Sequence, residues 1–395
     1  MGHLMAGPDL TRRRLLGAGA AGLGLTGLAW GAGAAYTASQ GGSASTDPSA
    51  PVRVGYLPIT DATPLLIGHA NGYYEEAGVP VQAPVLFRSW SSLAEAFLSG
   101  QVDVIHLLMP MALYMRYGLD ADVRITAWNH TNGSALTVRP DLADVASLAG
   151  ESIAIPAWWS VHNVVVQQML RGAGLTPIMR RTPSADEGTV QLLPMAPSDM
   201  LPALNNGVIG GYTVADPFNA AAAAQSVGGI QRFLGDAWRD HVCCVTMMRG
   251  SLLRERPEQA AGFMDGLVRA QAWSRANRPE AAAILADRYL PQPRPVILAA
   301  LTHDRSHAEI TTRPTWHGER IDFRPWPFAS TTEMLVRRMQ ETVVDAPSDF
   351  LRGLDPARAH DELVDDTLVR ESIRRAGGLE AFGLSSTERT EEFSA

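Results

Sequence analysis

Residues 52–77, VRVGYLPITDATPLLIGHANGYYEEA, confine this chain to a small set of folds. Val52, Val54 and Tyr56 alternate with Arg53 and Gly55, the two-residue period of a half-buried strand. Leu57-Pro58 ends that strand, because the residue before a proline is pushed out of the helical region. Thr60-Asp61-Ala62-Thr63-Pro64 then supplies capping side chains and a proline suited to a first helical turn. Leu65, Leu66, Ile67 and Ala70 carry the helix, and Asn71-Gly72 stops it. A strand that ends in a polar turn and feeds a helix presents free backbone N–H groups at a sheet edge. Open α/β folds bind small ligands there, anionic ones in particular. An ordinary βα unit without a ligand has the same local pattern, so the turn gains meaning only if the chain repeats it.

The chain does repeat it. Residues 79–86 read as a second strand, and Ser91 or Ser92 caps a helix over LAEAFLSG behind Trp90. VDVIHLL at 102–108 is almost continuously apolar, as a central strand is, and runs into Met109-Pro110-Met111. Strands follow at 123–128 and 134–138, around Asn129-His130-Thr131-Asn132-Gly133. The pattern then restarts with a strand at 152–155, the turn Pro156-Ala157-Trp158-Trp159-Ser160 and a helix at 161–171. A strand at 189–193, a helix over MLPALNNG and a strand at 208–214 lead to Asp216-Pro217-Phe218. Strands alternating with capped helices define an α/β protein with mostly parallel sheets in two similar halves. The long stretch from Leu252 onward is largely helical and forms a C-terminal extension.

At 395 residues, with 46% hydrophobic and 19% charged content, the chain can fill two cores. A net charge of −8 argues against nucleic acid as a partner, since such binders present a basic face. Every basic side chain is Arg; there is no Lys. Thr11-Arg12-Arg13-Arg14-Leu15-Leu16 precedes a Gly/Ala/Leu-rich run, and Ala32-Gly33-Ala34 offers small residues for cleavage, the pattern of a twin-arginine signal peptide over 1–34. A flexible linker over 35–50 follows. The protein is therefore expected outside the cytoplasm, periplasmic or tethered by an uncleaved signal.

The residues offer little for catalysis. Cys243 and Cys244 are the only cysteines, and they lie inside the apolar pattern VCCVTMM, where a thiol acts as a small hydrophobe. The histidines show no HExxH spacing, and no P-loop or GxSxG motif appears. No metal, cofactor or catalytic set is expected. What recurs is a group of polar and aromatic residues at strand ends: Thr60, Asp61, Trp90, Ser91, Met109, Ser134, Trp158, His162, Thr213 and Asp216. Hydroxyls, helix N-termini and indole N–H groups suit a small oxygen-bearing ligand. Capping or core packing would explain each of them singly; their coincidence at the strand ends of two similar halves points to one binding cleft.

Several motifs taken together resemble a family. GYLPITDATPLLIGHANGYYEEAGV, the Ser89-Trp90 pair, LSGQVDVIHLLMPMALYMRYG, Thr131-Asn132-Gly133, WWSVHN, GYTVADPFN, WRDH and IDFRPWPF occur in the order of the nitrate- and bicarbonate-binding proteins of ABC importers, a group that includes sulfonate binders. The resemblance implies a two-lobed type II periplasmic-binding-protein fold. One lobe would comprise 51–130 and 249–395, the other 131–248, with a small anion in the cleft and an ABC permease and ATPase as partners. It places Trp90 and His162 at the ligand.

This sequence also departs from that family. Ser134 stands where nitrate binders carry Gln, Asp216-Pro217-Phe218 replaces Glu-Pro-Trp, and Val242-Cys243-Cys244 replaces a segment whose Lys contacts the anion. A buried anion needs a cation or several aimed donors. His162 or one of Arg88, Arg116 and Arg239 would have to substitute, or the solute is larger, such as an organosulfonate. Losing the glutamate also weakens a calcium-assisted bicarbonate site. The same resemblance embraces enzymes, desulfinase-like or pyrimidine-synthase-like, and a ligand-sensing partner of a membrane receptor fits the sequence equally.

Overall fold

In the computed structural model the described residues are 47, 49–302 and 318–394. The twin-arginine stretch and all but the end of the expected linker lie outside them. Among the described residues no helix is long and apolar enough to cross a membrane.

The strands in chain order are β1 (Val54–Tyr56), β2 (Val85–Leu86), β3 (Val104–Leu108), β4 (Val123–Trp128), β5 (Thr131–Asn132), β6 (Ser134–Val138) and β7 (Ser152–Ile155). They continue with β8 (Thr176–Ile178), β9 (Thr189–Pro194), β10 (Gly211–Ala215), β11 (Gly229–Phe233), β12 (Cys244–Arg249) and β13 (Ile321–Asp322). The first sheet has the order β2-β1-β3-β12-β4, the second β11-β6-β10-β7-β9-β8, and β13 pairs with β5. Strands joined by helices pair in parallel: β1 with β2 and β3, and β7 with β9 and β10. Strands next to the crossings are antiparallel: β12 lies between β3 and β4, and β6 between β10 and β11.

Three features differ from the sequence reading. The expected division at residue 248 falls after a strand of the first sheet, because β12 pairs with β3 and β4. An apolar run such as VCCVTMM suits the middle of either sheet, and only its partners decide which. The strand expected over 79–86 shrinks to Val85–Leu86, with a lone bridge from Val81 to Val52. Pro80 and Pro84 remove ladder donors there. The helix Trp90–Leu98 is capped by Ser89, whose Oγ accepts from the Ser92 N–H at 3.2 Å, so Ser91 and Ser92 lie inside it.

The C-terminal helices cover the first sheet's helical layer. Leu66, Ile67 and Tyr73 join Ala270, Leu285, Ile297 and Phe323 in one buried cluster. Tyr74 stacks on Phe263 with centroids 4.3 Å apart, and its hydroxyl donates to the Leu65 carbonyl at 3.1 Å. This locked ring leaves no room at Gly266 in the helix Pro257–Ala276. A Cβ there would lie 2.5 Å from Tyr74 Cδ1 and 3.1 Å from the Tyr73 backbone. Helix propensity favours Ala over Gly by about 1 kcal/mol, whereas overpacking a core costs ~1–3 kcal/mol. Gly266→Ala should therefore destabilise the protein in chemical denaturation; a stabilised variant would show that the helix can shift away from Tyr74.

Candidate functional site

The turn after β1 is fixed from both sheets. The Leu57 N–H donates to His106 Nε2 of β3 at 2.9 Å, so the imidazole is neutral with its proton on Nδ1. The helical turn Thr60–Ala62 follows. Thr60 gives both its N–H and its Oγ1–H to the Asp216 carbonyl, each at 2.9 Å. Asp216 directly follows β10, so this contact joins the first sheet's leading turn to the second sheet. The Asp216 carboxylate takes a two-pronged ion pair from Arg320, at 2.7 and 3.0 Å.

Beside that latch is a wholly buried cluster. Asp61 Oδ2 lies 3.0 Å from His130 Nε2, 3.5 Å from Cys243 Sγ and 3.4 Å from Cys244 Sγ. The two sulfurs are 3.9 Å apart. Asn129, one residue before His130, donates its side-chain amide to the Asp61 carbonyl. Ser134 Oγ sits 2.9 Å from His162 Nε2 and 3.8 Å from Cys243 Sγ, extending the cluster to the second sheet. His162 lies in the first turn of the helix Val161–Gly172, which Ser160 caps by accepting from the Asn163 N–H at 3.1 Å.

Burial sets the electrostatics of this cluster. It pushes the Asp61 carboxyl up to about 6, against the pull of His130. His130 is raised to about 10: burial opposes the charge, but Asp61 and Cys243 outweigh it. The Cys243 thiol goes down despite burial, through hydrogen bonds and charge from Cys244, His162 and His130, while Cys244 goes up, through burial and then Cys243. The two thiols shift in opposite directions because two adjacent anions repel.

Asp61, Ser134 and His162 thus meet in one cluster, with Thr60 and Asp216 beside it. Met109 donates its N–H to the Cys243 carbonyl at 3.0 Å. Thr213 shares a face with Ser134: Ser134 pairs with Ala215, two residues along β10, and residues two apart face alike. Trp90 packs edge-on against His106, centroids 5.5 Å apart. Ser91 bonds Ser89 Oγ at 3.0 Å within the helix cap. Trp158 is half-buried and its carbonyl accepts from the Asn163 side-chain amide at 2.9 Å, while Trp159 is buried and stacks on Tyr114 at 5.6 Å.

The arginines considered as substitutes for the lysine lie elsewhere. Arg88 is exposed, Arg116 pairs with Asp120 and Arg239 with Glu392. Sequence reasoning missed Arg320 and treated the cysteines as core. A buried Asp216 needs a cation, the signal that could have pointed to an arginine; nothing local marked His130 or the thiols as partners of Asp61.

The described residues form an α/β body of two sheets linked by crossing segments. The chain belongs to the NMT1-like family, whose model matches residues 45–289. It is 25% identical over 259 residues to the nitrate/nitrite binding protein NrtA of Nostoc, covering 60% of this chain and 57% of that protein. The chain thus spans little more than half the length of that relative. The periplasmic nitrate-binding protein NrtA of Synechocystis superposes with a TM-score of 0.72 at 20% identity, over 87% of this chain and 93% of that one. The desulfurization enzyme DszB superposes at 0.54 with 14% identity, over 82% and 99%. These likenesses establish the periplasmic-binding-protein fold.

The buried histidines shape the pH dependence of stability. Burial lowers His106 to about 3 and His241 to about 4, so the unfolded chain binds more protons below its histidine value near 6.5. Stability contributed by these two is lost as pH falls from about 6.5, by about 1.4 kcal/mol per pH unit per histidine. Raised Asp61 opposes this between its ordinary 3.8 and about 6, where the folded state holds the extra proton. Raised His130 contributes stability that is full below about 6.5 and lost as pH rises to about 10. Unfolding free energy measured against pH should peak near neutrality, and His106→Gln should flatten the acid limb. An unchanged acid limb would mean that His106 is protonated in the fold.

Proposed function

We propose that the chain is the solute-binding component of an ABC importer, exported by the twin-arginine route. It captures a small oxyanion or an organosulfonate between its two lobes and delivers it to a permease and ATPase at the inner membrane. The segments 129–133 and 237–243 serve as the hinge. One observation carries this reading: Trp90 Nε1, Trp159 Nε1, His162 Nδ1 and Thr213 Oγ1, which come from both halves of the chain, are among the buried hydrogen-bonding atoms with no protein partner among the described residues. Both acids beside them, Asp61 and Asp216, are already paired with His130 and Arg320, which leaves these unpartnered groups for the solute. Family membership and the known binding role of the Nostoc relative support the same reading.

Thermal unfolding in the presence of nitrate, nitrite, bicarbonate, taurine and short alkanesulfonates tests it. A solute held only by the folded state at a hundred times its Kd stabilises by about 2.7 kcal/mol. One member of the panel should raise the melting temperature, and Trp90→Ala, His162→Ala and Thr213→Val should each reduce that rise tenfold or more in affinity. No rise with any of them, or a rise indifferent to all three variants, removes the cleft proposed here. For export, replacing Arg12, Arg13 and Arg14 by Lys should leave the protein in the cytoplasmic fraction; continued export would point to another route.

The lowered Cys243 thiol, with His130 and His162 beside it, favours one second reading, a desulfinase-like enzyme, because a thiolate next to imidazoles is an activated nucleophile. Sulfinate turnover abolished by Cys243→Ser would replace the transport reading.

A further inference from the structure

We propose that Asp61, His130, Cys243 and Cys244 form a binding site for one divalent transition metal of the zinc class. One carboxylate oxygen, one imidazole nitrogen and two sulfurs from these residues, all buried, lie within 4.8 Å of one another. Four of the six pairwise separations approach those of a metal's coordination shell. With metal–sulfur bonds near 2.3 Å and metal–nitrogen and metal–oxygen bonds near 2.0 Å, tetrahedral coordination sets S···S at about 3.8 Å, S···O at about 3.5 Å and N···O at about 3.3 Å. The site shows 3.9 Å between the sulfurs, 3.5 and 3.4 Å from sulfur to Asp61 Oδ2, and 3.0 Å from Oδ2 to His130 Nε2.

The backbone brings both thiols to one side. Adjacent residues of a regular strand face opposite ways, yet both sulfurs reach the same carboxylate oxygen. Regular pairing of β12 starts only at Cys244, which frees Cys243 to turn toward Asp61. As a hydrogen-bond network the cluster is poorly satisfied. Three groups crowd Asp61 Oδ2 while Oδ1 has no partner, and His130 Nε2 lies 3.0 Å from that oxygen and 3.3 Å from the Cys244 N–H. One nitrogen cannot donate to the carboxylate and accept from the amide together. A cation at the centre would take lone pairs from all four residues. Thiolate and imidazole donors select zinc-class ions over calcium or magnesium.

All four residues belong to the first sheet or to its junctions with the crossing segments, so opening of the two lobes would leave the set intact. The metal site is therefore independent of solute capture, and Asp61 would serve the metal and not the solute.

Metal content of the purified full-length protein, stripped with chelator and reloaded with Zn2+ in the absence of any solute, tests the site. The expected result is one Zn2+ per chain after dialysis, a raised melting temperature, and intense thiolate-to-metal charge-transfer absorption when Co2+ replaces Zn2+. The Cys243→Ser/Cys244→Ser double variant should lose the metal and the absorption, and Asp61→Asn should weaken binding tenfold or more. Retention of one Zn2+ by the double variant, or less than one in ten chains loaded in the wild type, would overturn the proposal. If the double variant does not fold, cobalt-loaded wild type without charge-transfer bands overturns it alone.

Discussion

The insertion of β12 between β3 and β4 is the constraint on which the rest of this structure depends. The chain leaves the first sheet at Trp128, builds the whole second sheet, and must come back antiparallel to the strand it left. The outgoing and returning segments therefore run side by side. Asn132 donates to the His241 carbonyl at 2.9 Å, Asn129 to the Cys244 carbonyl at 3.1 Å, and Val242 bridges Thr131. Asn132 and Gly133 take positive φ values of 59° and 85° to make the step into β6. At Gly133 a Cβ would also lie 3.0 Å from Ile321, so a side chain there faces both strain and contact. This pairing puts His130 against the two cysteines, although the whole second sheet separates them in sequence.

Charge then decides how the halves meet. Each buried carboxylate near the crossing has a cation from another segment: His130 for Asp61, Arg320 for Asp216, and Arg275 and Arg324 for Asp322. Such pairs contribute little net stability, because desolvation offsets the attraction, but breaking one strands a buried charge. Their consequence here is geometric. Asp216 directly follows a strand of the second sheet, yet its carbonyl is held by Thr60 of the first sheet's leading turn and its carboxylate by Arg320, just ahead of β13.

Local rules made much of the fold legible. β4, β6 and β7 have the bounds that their apolar patterns predict, since each is bounded by turn residues and buried in a sheet. β8 and β11 were not legible: Thr176-Pro177-Ile178 contains a proline, and Gly229–Phe233 carries Gln231 and Arg232 on a strand at the sheet's edge. The polar residues at strand ends, Thr60, Asp61, Ser134 and His162, could be recognised because each follows or caps an element. What they touch could not be recognised, because Asp61, His130 and the cysteines come from three separated segments without a shared spacing.

The two cysteines show why pattern alone misassigned their chemistry. VCCVTMM is a buried strand by every local rule, and Val245 and Met247 do pack as one. The rule that buried cysteines are inert assumes apolar neighbours. Here the strand's first residues fall where two sheets and two crossing segments converge, and their neighbours are a carboxylate and two imidazoles. Two thiols and a carboxylate instead bring lone pairs to this point, the donor set of the metal site proposed above.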